Sequence, residues 1–185
     1  MKSKFGRVIT AMITPFAADG SLDVEGARSL AKWLVEQGNE ALVLAGTTGE
    51  SPTITQDEQI ELVEAVVDAV DVPIIAGAGS NDTRSAIANT QRCVDAGAQA
   101  ILSVTPYYNR PSQAGLMAHF AEVAASTELP IMLYDIPART GRALDADTIL
   151  QLADEVENIV AVKDAAGDVA STARLIAAAP EGFEV

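Results

Sequence analysis

The stretch that decides the fold is Ile159-Val160-Ala161-Val162-Lys163-Asp164-Ala165-Ala166-Gly167-Asp168, a short apolar run followed by a lysine and a polar turn. A continuous apolar run of this length is typical of a strand that is buried on both faces of a parallel sheet. Similar runs recur along the chain, each followed by an amphipathic helical pattern, with a period of about thirty residues. This alternation predicts parallel strands joined by right-handed helical crossovers.

The elements can be placed from the apolar periodicity and the turn residues. The predicted strands are Val8–Thr14, Ala41–Ala45, Pro73–Ala78, Ala100–Thr105, Ile131–Ile136 and Ile159–Lys163, with a last fragment at Phe183–Val185. The predicted helices are Val24–Gln37, Gln56–Val70, Thr83–Ala96, Gln113–Ser126, Ala146–Glu155 and Val169–Ala178. The boundary signals are a capping box of Thr55 with Glu58, N-caps at Asp23, Asp82 and Asp145, and C-terminal glycines at Gly38 and Gly97.

Two architectures fit strands and helices in alternation, the open doubly wound sheet and the TIM (β/α)8 barrel. The chemically informative residues follow the carboxyl ends of several different strands, which favours the barrel. A dinucleotide site would rest on Gly77-Ala78-Gly79, but the third glycine of that fingerprint is missing. We therefore predict an α/β protein, a single TIM-barrel domain over residues 1–185. Because a complete barrel needs about 250 residues, we expect a truncated one, with six βα units and the start of a seventh strand.

Composition excludes several classes of function. The formal net charge is −14, with a pI near 4.3, which argues against nucleic-acid and anionic membrane partners. We find no apolar run long enough for a membrane span and no signal peptide, and we expect a cytoplasmic protein. The single cysteine, Cys93, excludes an internal disulfide and is expected to be buried. The single histidine, His119, is expected to have a surface or interface role.

Lys163 is the most informative residue of the chain. The other three lysines are Lys2 and Lys4 in the terminal tail and Lys32 on the polar side of a helix. Lys163 alone interrupts a predicted buried strand, where an unpaired ammonium is costly. Two interpretations remain open at this point: a strand-end lysine paired with a neighbouring aspartate, Asp164 or Asp168, or an amine nucleophile that forms a Schiff base with a carbonyl substrate.

Other polar residues cluster after the remaining strands. The second strand is followed by Gly46-Thr47-Thr48-Gly49, whose hydroxyl and backbone N–H groups can hold a small carboxylate. The fourth is followed by Tyr107 and Tyr108, and the fifth contains Tyr134 and is followed by Arg139. Phenols can shuttle protons and an arginine can clamp a carboxylate, so together with Lys163 these residues indicate carbonyl chemistry on an acidic substrate.

Four ordered motifs then carry a resemblance to a known family. The segments GTTGES, TPYYNRP, LYDIPARTG and VKDAAGD resemble the dihydrodipicolinate synthase / N-acetylneuraminate lyase family of Schiff-base aldolases, and the resemblance runs from about Phe5 to the end. The tyrosine pair, Arg139 and Thr47 are similar to the synthase branch. The resemblance implies a lyase that condenses pyruvate with L-aspartate 4-semialdehyde to 4-hydroxy-tetrahydrodipicolinate, in lysine and diaminopimelate biosynthesis.

The resemblance also implies a role for each matching residue. Lys163 would form the imine with pyruvate, and Tyr134 would assist proton transfer. Thr47 would link Tyr134 to Tyr108, which in this family reaches into the site of a neighbouring subunit. Thr48 would bind the pyruvate carboxylate and Arg139 the carboxylate of the semialdehyde. Gly46 and Tyr107 complete the implied substrate-binding set.

The resemblance implies no metal and no organic cofactor, since the covalent imine to Lys163 supplies the chemistry. It implies a homo-oligomer, a dimer of dimers in a complete protein. It also implies weak feedback by lysine, because Gln56 and Ser85 replace the residues that sensitive members carry. The alternatives are another pyruvate-dependent aldolase, acting on N-acetylneuraminate or a keto-sugar acid, and a catalytically inert barrel fragment.

Overall fold

The computed structural model describes residues 4–185, so Lys2 and the first three positions of the predicted domain lie outside the described residues. The chain divides into two compact units. The first contains the residues up to Gly77 together with Arg92–Ile101, and the second contains Ala78–Gln91 and Leu102–Val185. The single-domain assignment stays a prediction.

The first unit is built on three parallel strands with the order β1-β2-β3. These strands are β1 (Ile9–Ala11), β2 (Ala41–Leu44) and β3 (Ile74–Gly77). Helix α1 (Val24–Glu36) follows β1, and a short 3₁₀ turn (Ser51–Thr53) and helix α2 (Gln56–Val67) follow β2. All four residues of β2 are buried, as expected for a central strand that is covered on both faces.

The second unit contains the strand order β4-β5-β6, and β5 and β6 are parallel. Its strands are β4 (Ala100–Val104), of which the residues from Leu102 onward belong to this unit, β5 (Ile131–Asp135) and β6 (Ile159–Asp164). Its helices are α3 (Thr83–Asp95), which begins in this unit, α4 (Gln113–Ala124), the one-turn α5 (Pro137–Thr140), α6 (Ala146–Glu155) and α7 (Val169–Ala178). The six strand–helix units predicted from the sequence are therefore present among residues 4–185.

The largest differences from the predicted elements are at the two ends of the chain and after β5. The first strand is Ile9–Ala11, shorter than the predicted Val8–Thr14, and an antiparallel bridge between Phe16 and Leu22 follows it. The predicted fragment Phe183–Val185 contributes one isolated parallel bridge, between Ala161 and Glu184. Helix α5 was not predicted, because a single turn that starts at Pro137 has no periodicity to detect.

The helix boundary signals are confirmed with one exception. Thr55 and Glu58 form the reciprocal capping box, Asp23 accepts the N–H of Gly26, and Asp82 accepts the N–H of Ser85. Gly38 and Gly97 have φ of +94° and +90°. Asp145 occupies the N-cap of α6, but its side chain makes no capping hydrogen bond.

The expectation of a surface or interface role for His119 is wrong. The side chain is buried, with 5% of its surface exposed, and its Nδ1 lies 2.8 Å from the hydroxyl oxygen of Thr83. Burial lowers the pKa of His119, although the nearby Asp82 carboxylate opposes that change. Cys93 is buried as predicted, and burial raises the pKa of its thiol to about 11. Within residues 4–185, none of the helices is long and apolar enough to cross a bilayer.

The capping contacts generate a matched stability test. Thr55→Ala removes a hydroxyl that accepts the Glu58 N–H, so the free energy of unfolding should fall by about 1 kcal/mol. Asp145→Ala at the N-cap of α6 removes no capping hydrogen bond and should change it by at most about 0.5 kcal/mol. Urea unfolding of both variants measures the difference, and equal losses would contradict the assignment of the cap energy to the Thr55 side chain.

Candidate active site

The register of β5 against β6 determines which side chains share a face of the sheet. Ile131 pairs with Ile159, but Met132 pairs with Ala161, so the pairing skips Val160. This bulge shifts all later pairs by one residue, and Tyr134 therefore lies directly opposite Lys163. Without the shift the pattern would align Tyr134 with Val162, and the phenol and the amine would point to opposite faces.

Lys163 and Tyr134 are in direct contact. The Lys163 Nζ lies 4.5 Å from the centroid of the Tyr134 ring, and the tyrosine is almost fully buried. Among residues 4–185, no carboxylate lies within ion-pairing distance of the Lys163 amine, so the proposed pairing with Asp164 or Asp168 is not found. Lys163 is half-buried, which leaves its amine accessible at the end of the strand.

Thr105 fixes the end of β5 that carries Tyr134. The backbone N–H of Thr105 donates to the Tyr134 carbonyl oxygen at 2.9 Å, and its hydroxyl donates to the same oxygen at 3.1 Å. The threonine is fully buried, so these two bonds are shielded from water. Thr105, which precedes the pair Tyr107 and Tyr108 in the sequence, therefore holds the backbone of Tyr134.

The loop after β4 carries Tyr107 and Tyr108 at the surface. Tyr108 is 91% exposed and has φ of +73°, a conformation that is rare for a residue with a side chain. Its N–H donates to the Thr140 carbonyl oxygen at 3.3 Å, in the turn of α5 that also bears Arg139. The tyrosine pair and Arg139 are thus brought close together in the chain's second unit, with Arg139 exposed.

Gly46, Thr47 and Thr48 belong to the first unit, in the turn after β2. The turn is flanked by two residues with positive φ, Ala45 at +51° and Glu50 at +56°. Gly46 is buried, whereas both threonines are exposed at the end of the strand. Such a strained, exposed turn is common where the backbone binds a small ligand.

The side chains that alternate with Tyr134 and Lys163 are acidic. Asp135 and Asp164 are paired on β5 and β6 and point to the opposite face, where they line a cleft of about 590 Å³ in front of α6 and α7. Asp135 is 3% exposed and accepts the N–H of Leu144 at 3.1 Å. Burial raises the pKa of Asp135 to about 6; the Leu144 N–H opposes this, and the nearby Asp164 and Asp145 carboxylates add to it.

The structure also explains the glycines of Gly77-Ala78-Gly79. In the first unit, a Cβ on Gly77 would collide with the carbonyl oxygen of Ala45. In the second unit, a Cβ on Gly79 would lie 2.5 Å from the backbone nitrogen of Val104. Close backbone packing is therefore sufficient to account for both glycines. Over residues 4–185, no group of three or more His, Cys, Asp or Glu side chains is arranged to hold a metal ion.

Several structurally important residues were not singled out from the sequence. Asp135 holds the backbone of Leu144, and Thr105 holds the backbone of Tyr134. The loop after β4 and the segment after β5 are joined by Thr140, Arg110 and Gln113. Their contacts are mainly with backbone atoms of distant residues, so no local motif reveals them. The sequence shows that Pro111 follows Arg110, but it does not show which segment the arginine contacts.

The chain was compared with protein-family profiles and with curated and solved proteins. A profile of the dihydrodipicolinate synthetase family matches residues 4–185. The 4-hydroxy-tetrahydrodipicolinate synthase of Acidothermus cellulolyticus is 56% identical over 175 residues, which are 94% of this chain and 56% of that protein. The chain therefore spans little more than half the length of this curated relative.

Solved structures confirm the predicted fold class, a TIM barrel of which the chain contains about six βα units. The dihydrodipicolinate synthase of Cyanidioschyzon merolae, solved with lysine bound, superposes with a TM-score of 0.96 at 46% identity, covering 98% of this chain and 63% of that one. The chloride-inhibited enzyme of Acinetobacter baumannii, solved in complex with pyruvate, gives a TM-score of 0.90 at 44% identity, covering 92% of this chain and 59% of that one.

The raised pKa of Asp135 predicts that a neutral residue at this position stabilises the protein to an extent that depends on pH. The unfolded-state pKa is near 3.8 and the folded-state pKa about 6, so the free energy of unfolding decreases as pH rises through this range. Asp135→Asn should therefore increase the free energy of unfolding by at most about 3 kcal/mol above pH 7, with no gain below pH 4. Denaturant unfolding at several pH values measures this, and a gain that does not vary with pH would contradict it.

Proposed function

Because the chain belongs to the dihydrodipicolinate synthetase family, we propose that it takes part in the Schiff-base condensation of pyruvate with L-aspartate 4-semialdehyde to give 4-hydroxy-tetrahydrodipicolinate, a lyase reaction of lysine and diaminopimelate biosynthesis. The observation that carries the proposal is the contact of the Lys163 amine with the Tyr134 ring. An amine without a carboxylate partner beside a phenol is the arrangement that imine chemistry requires.

The proposed reaction begins at Lys163. Its neutral amine adds to the ketone carbon of pyruvate, and water leaves to form the imine. Loss of a proton from the pyruvate methyl group gives the enamine, whose carbon then adds to the aldehyde of the semialdehyde. The amine of the semialdehyde finally attacks the imine carbon, closes the ring and displaces Lys163.

Tyr134 is proposed as the group that moves protons during these steps. Water can only leave the first adduct if its oxygen is protonated, and the hydroxyl of Tyr134, whose ring lies 4.5 Å from the Lys163 Nζ, is the proposed donor. The two hydrogen bonds from Thr105 hold the backbone of Tyr134, so the phenol approaches the amine from a fixed strand end. Thr47 is proposed to relay protons between Tyr134 and Tyr108.

The carboxylates of the substrates need partners of their own. We assign the pyruvate carboxylate to Thr48 and the turn at Gly46, which offer hydroxyl and N–H donors. We assign the semialdehyde carboxylate to Arg139, with Tyr107 beside it, because an exposed guanidinium can form a bidentate pair with a carboxylate. The reaction as proposed uses no metal ion or organic cofactor, since the imine itself acts as the electron sink.

Tyr108 supports a proposed homo-oligomer. An aromatic side chain that is 91% exposed in a strained conformation gains little from its own chain, and it suits a site formed with a second copy. A dimer of dimers is proposed for a complete protein. A cytoplasmic location is also proposed, because the free thiol of Cys93 suits a reducing compartment.

The first test is borohydride trapping with pyruvate, read by peptide mass spectrometry. We expect a pyruvate-derived adduct on Lys163 in the 185-residue chain and none in Lys163→Arg. Tyr134→Phe should still be trapped, but about 100-fold more slowly, because it lacks the proton donor. A folded wild-type chain with no adduct on Lys163 would reject the proposal and favour the inert-fragment alternative.

Arg139 separates the proposed acceptor from that of another pyruvate aldolase. Arg139→Ala should lower kcat/KM for L-aspartate 4-semialdehyde by about 10- to 100-fold, because one charged hydrogen-bonding partner is lost. Trapping of pyruvate on Lys163 should stay within about twofold of the wild type. If N-acetylneuraminate or a keto-sugar acid is cleaved while the semialdehyde is not used, the alternative aldolase is the better description.

A further inference from the structure

Three successive contacts join the loop after β4 to the segment that carries Arg139. We call residues 107–113 the strap and residues 137–145 the arginine turn. The Tyr108 N–H donates to the Thr140 carbonyl oxygen at 3.3 Å. Further along the strap, the guanidinium of Arg110 lies against Gly141, and the side chain of Gln113 reaches the end of the turn. The strap therefore lies along the arginine turn in the same direction.

The Arg110 contact lies between the other two. A Cβ on Gly141 would lie 2.9 Å from Nε, 3.0 Å from Nη2 and 3.4 Å from Cζ of Arg110, so the Nε–Nη2 edge of the guanidinium faces Gly141. Gly141 also has φ of +73° and donates its N–H to the Pro137 carbonyl oxygen at 2.9 Å, which closes α5. The arginine thus covers the residue that ends the helical turn bearing Arg139.

The backbone of Arg110 is strained for this contact. Its φ is +48°, in the left-handed region, and the next residue is Pro111, which disfavours helical conformations in the residue before it. Such strain persists where the surroundings determine the conformation, and it is commonly found at functional sites. Arg110 is exposed, and among residues 4–185 no carboxylate forms an ion pair with it.

Gln113 completes the connection with two complementary hydrogen bonds. Its Nε2 donates to the Ala143 carbonyl oxygen at 3.0 Å, and its Oε1 accepts the Asp145 N–H at 3.1 Å. Both atoms of one amide are used, so the glutamine fixes the spacing between the start of α4 and the start of α6. With both ends held, the contact at its centre determines how the arginine turn is oriented.

We propose that Arg110 is a positioning residue for Arg139: its guanidinium, with the Nε–Nη2 edge against Gly141, fixes the arginine turn against the strap, and so sets the distance between the carboxylate-binding guanidinium and Tyr108. The assignment rests on the proposed function, since it concerns how the second substrate is bound. It predicts that the planar shape of the group matters, because a lysine at position 110 keeps the charge and loses the Nε–Nη2 edge that faces Gly141.

The test compares Arg110→Ala and Arg110→Lys with Arg28→Ala, a control in which a half-buried arginine is lost from an ion pair with Glu25. For both Arg110 variants, kcat/KM for the semialdehyde should fall by about 10- to 100-fold, since a small displacement of a binding group is costly. The rise in KM for this substrate should account for most of the loss. Borohydride trapping of pyruvate on Lys163 should be unchanged, as it should be in Arg28→Ala.

Amide hydrogen exchange provides a second readout that does not depend on turnover. The N–H groups of Gly141, Leu144 and Asp145 are all hydrogen-bonded within or to the arginine turn. In Arg110→Ala and Arg110→Lys their exchange should be faster by about 10-fold or more, while the amides of β5 stay protected. In Arg28→Ala the exchange of the turn should match the wild type.

Gly141→Ala tests the contact from the other side. It should displace Arg110 and reproduce the loss in semialdehyde kcat/KM, and the two changes should not be additive in a double-mutant cycle. Gly38→Ala is the matched control, because Gly38 has φ of +94° and open space around a Cβ. Gly38→Ala also places a side chain at a positive φ, but its Cβ meets no neighbouring atom.

The outcomes separate the two proposals. If wild-type Lys163 forms no adduct, the proposed function fails, and the exchange measurement still decides whether Arg110 fixes the turn. If the adduct forms normally and Arg110→Lys behaves as wild type in exchange and in semialdehyde KM, the positioning role is overturned. An equal loss of trapping and of semialdehyde use in Arg110→Ala would also overturn it, because it would indicate a general loss of structure.

Discussion

A single skipped residue between two parallel strands is the constraint on which the candidate site depends. Because Val160 has no partner on β5, Tyr134 is brought opposite Lys163. Strand side chains alternate between faces, so a shift of one residue changes the face on which every later side chain lies. The bulge separates the chemistry of the two faces: the amine and the phenol share one, and the carboxylates of Asp135 and Asp164 share the other.

The same arrangement explains how a protein with a net charge of −14 can keep an amine without a carboxylate partner. The acidic residues nearest to Lys163 in sequence are directed elsewhere: Asp164 accepts the Thr172 hydroxyl, and Asp168 caps α7. Their side chains are held by hydrogen bonds on the helix side of the strands. Local backbone geometry, more than overall charge, therefore determines the electrostatic setting of the amine.

The features that the sequence predicted well are those set by nearby residues. Thr55 with Glu58, the apolar runs of β2 to β6 and the glycines at helix ends act within a few positions, so each can be recognised locally. The features that it did not predict depend on distant partners. His119 is buried, and its Nδ1 lies within hydrogen-bonding distance of Thr83, thirty-six residues away. Neither the bulge at Val160 nor the contact of Arg110 with Gly141 leaves a pattern in composition or periodicity. Lys163 was found because a charged residue at the end of an apolar run is conspicuous, whereas the role of Asp135 depends on Leu144, nine residues away.

The two glycines after β3 have a consequence for how this sequence can change over evolutionary time. Gly77 and Gly79 each face backbone atoms of a neighbouring strand end, and backbone cannot retreat as a flexible side chain can. No other amino acid fits at either position unless the strand ends separate. We therefore expect substitutions at these two positions to be selected against, although neither residue carries a reactive group. A duplicated copy of the gene could acquire a new substrate preference and still retain both glycines.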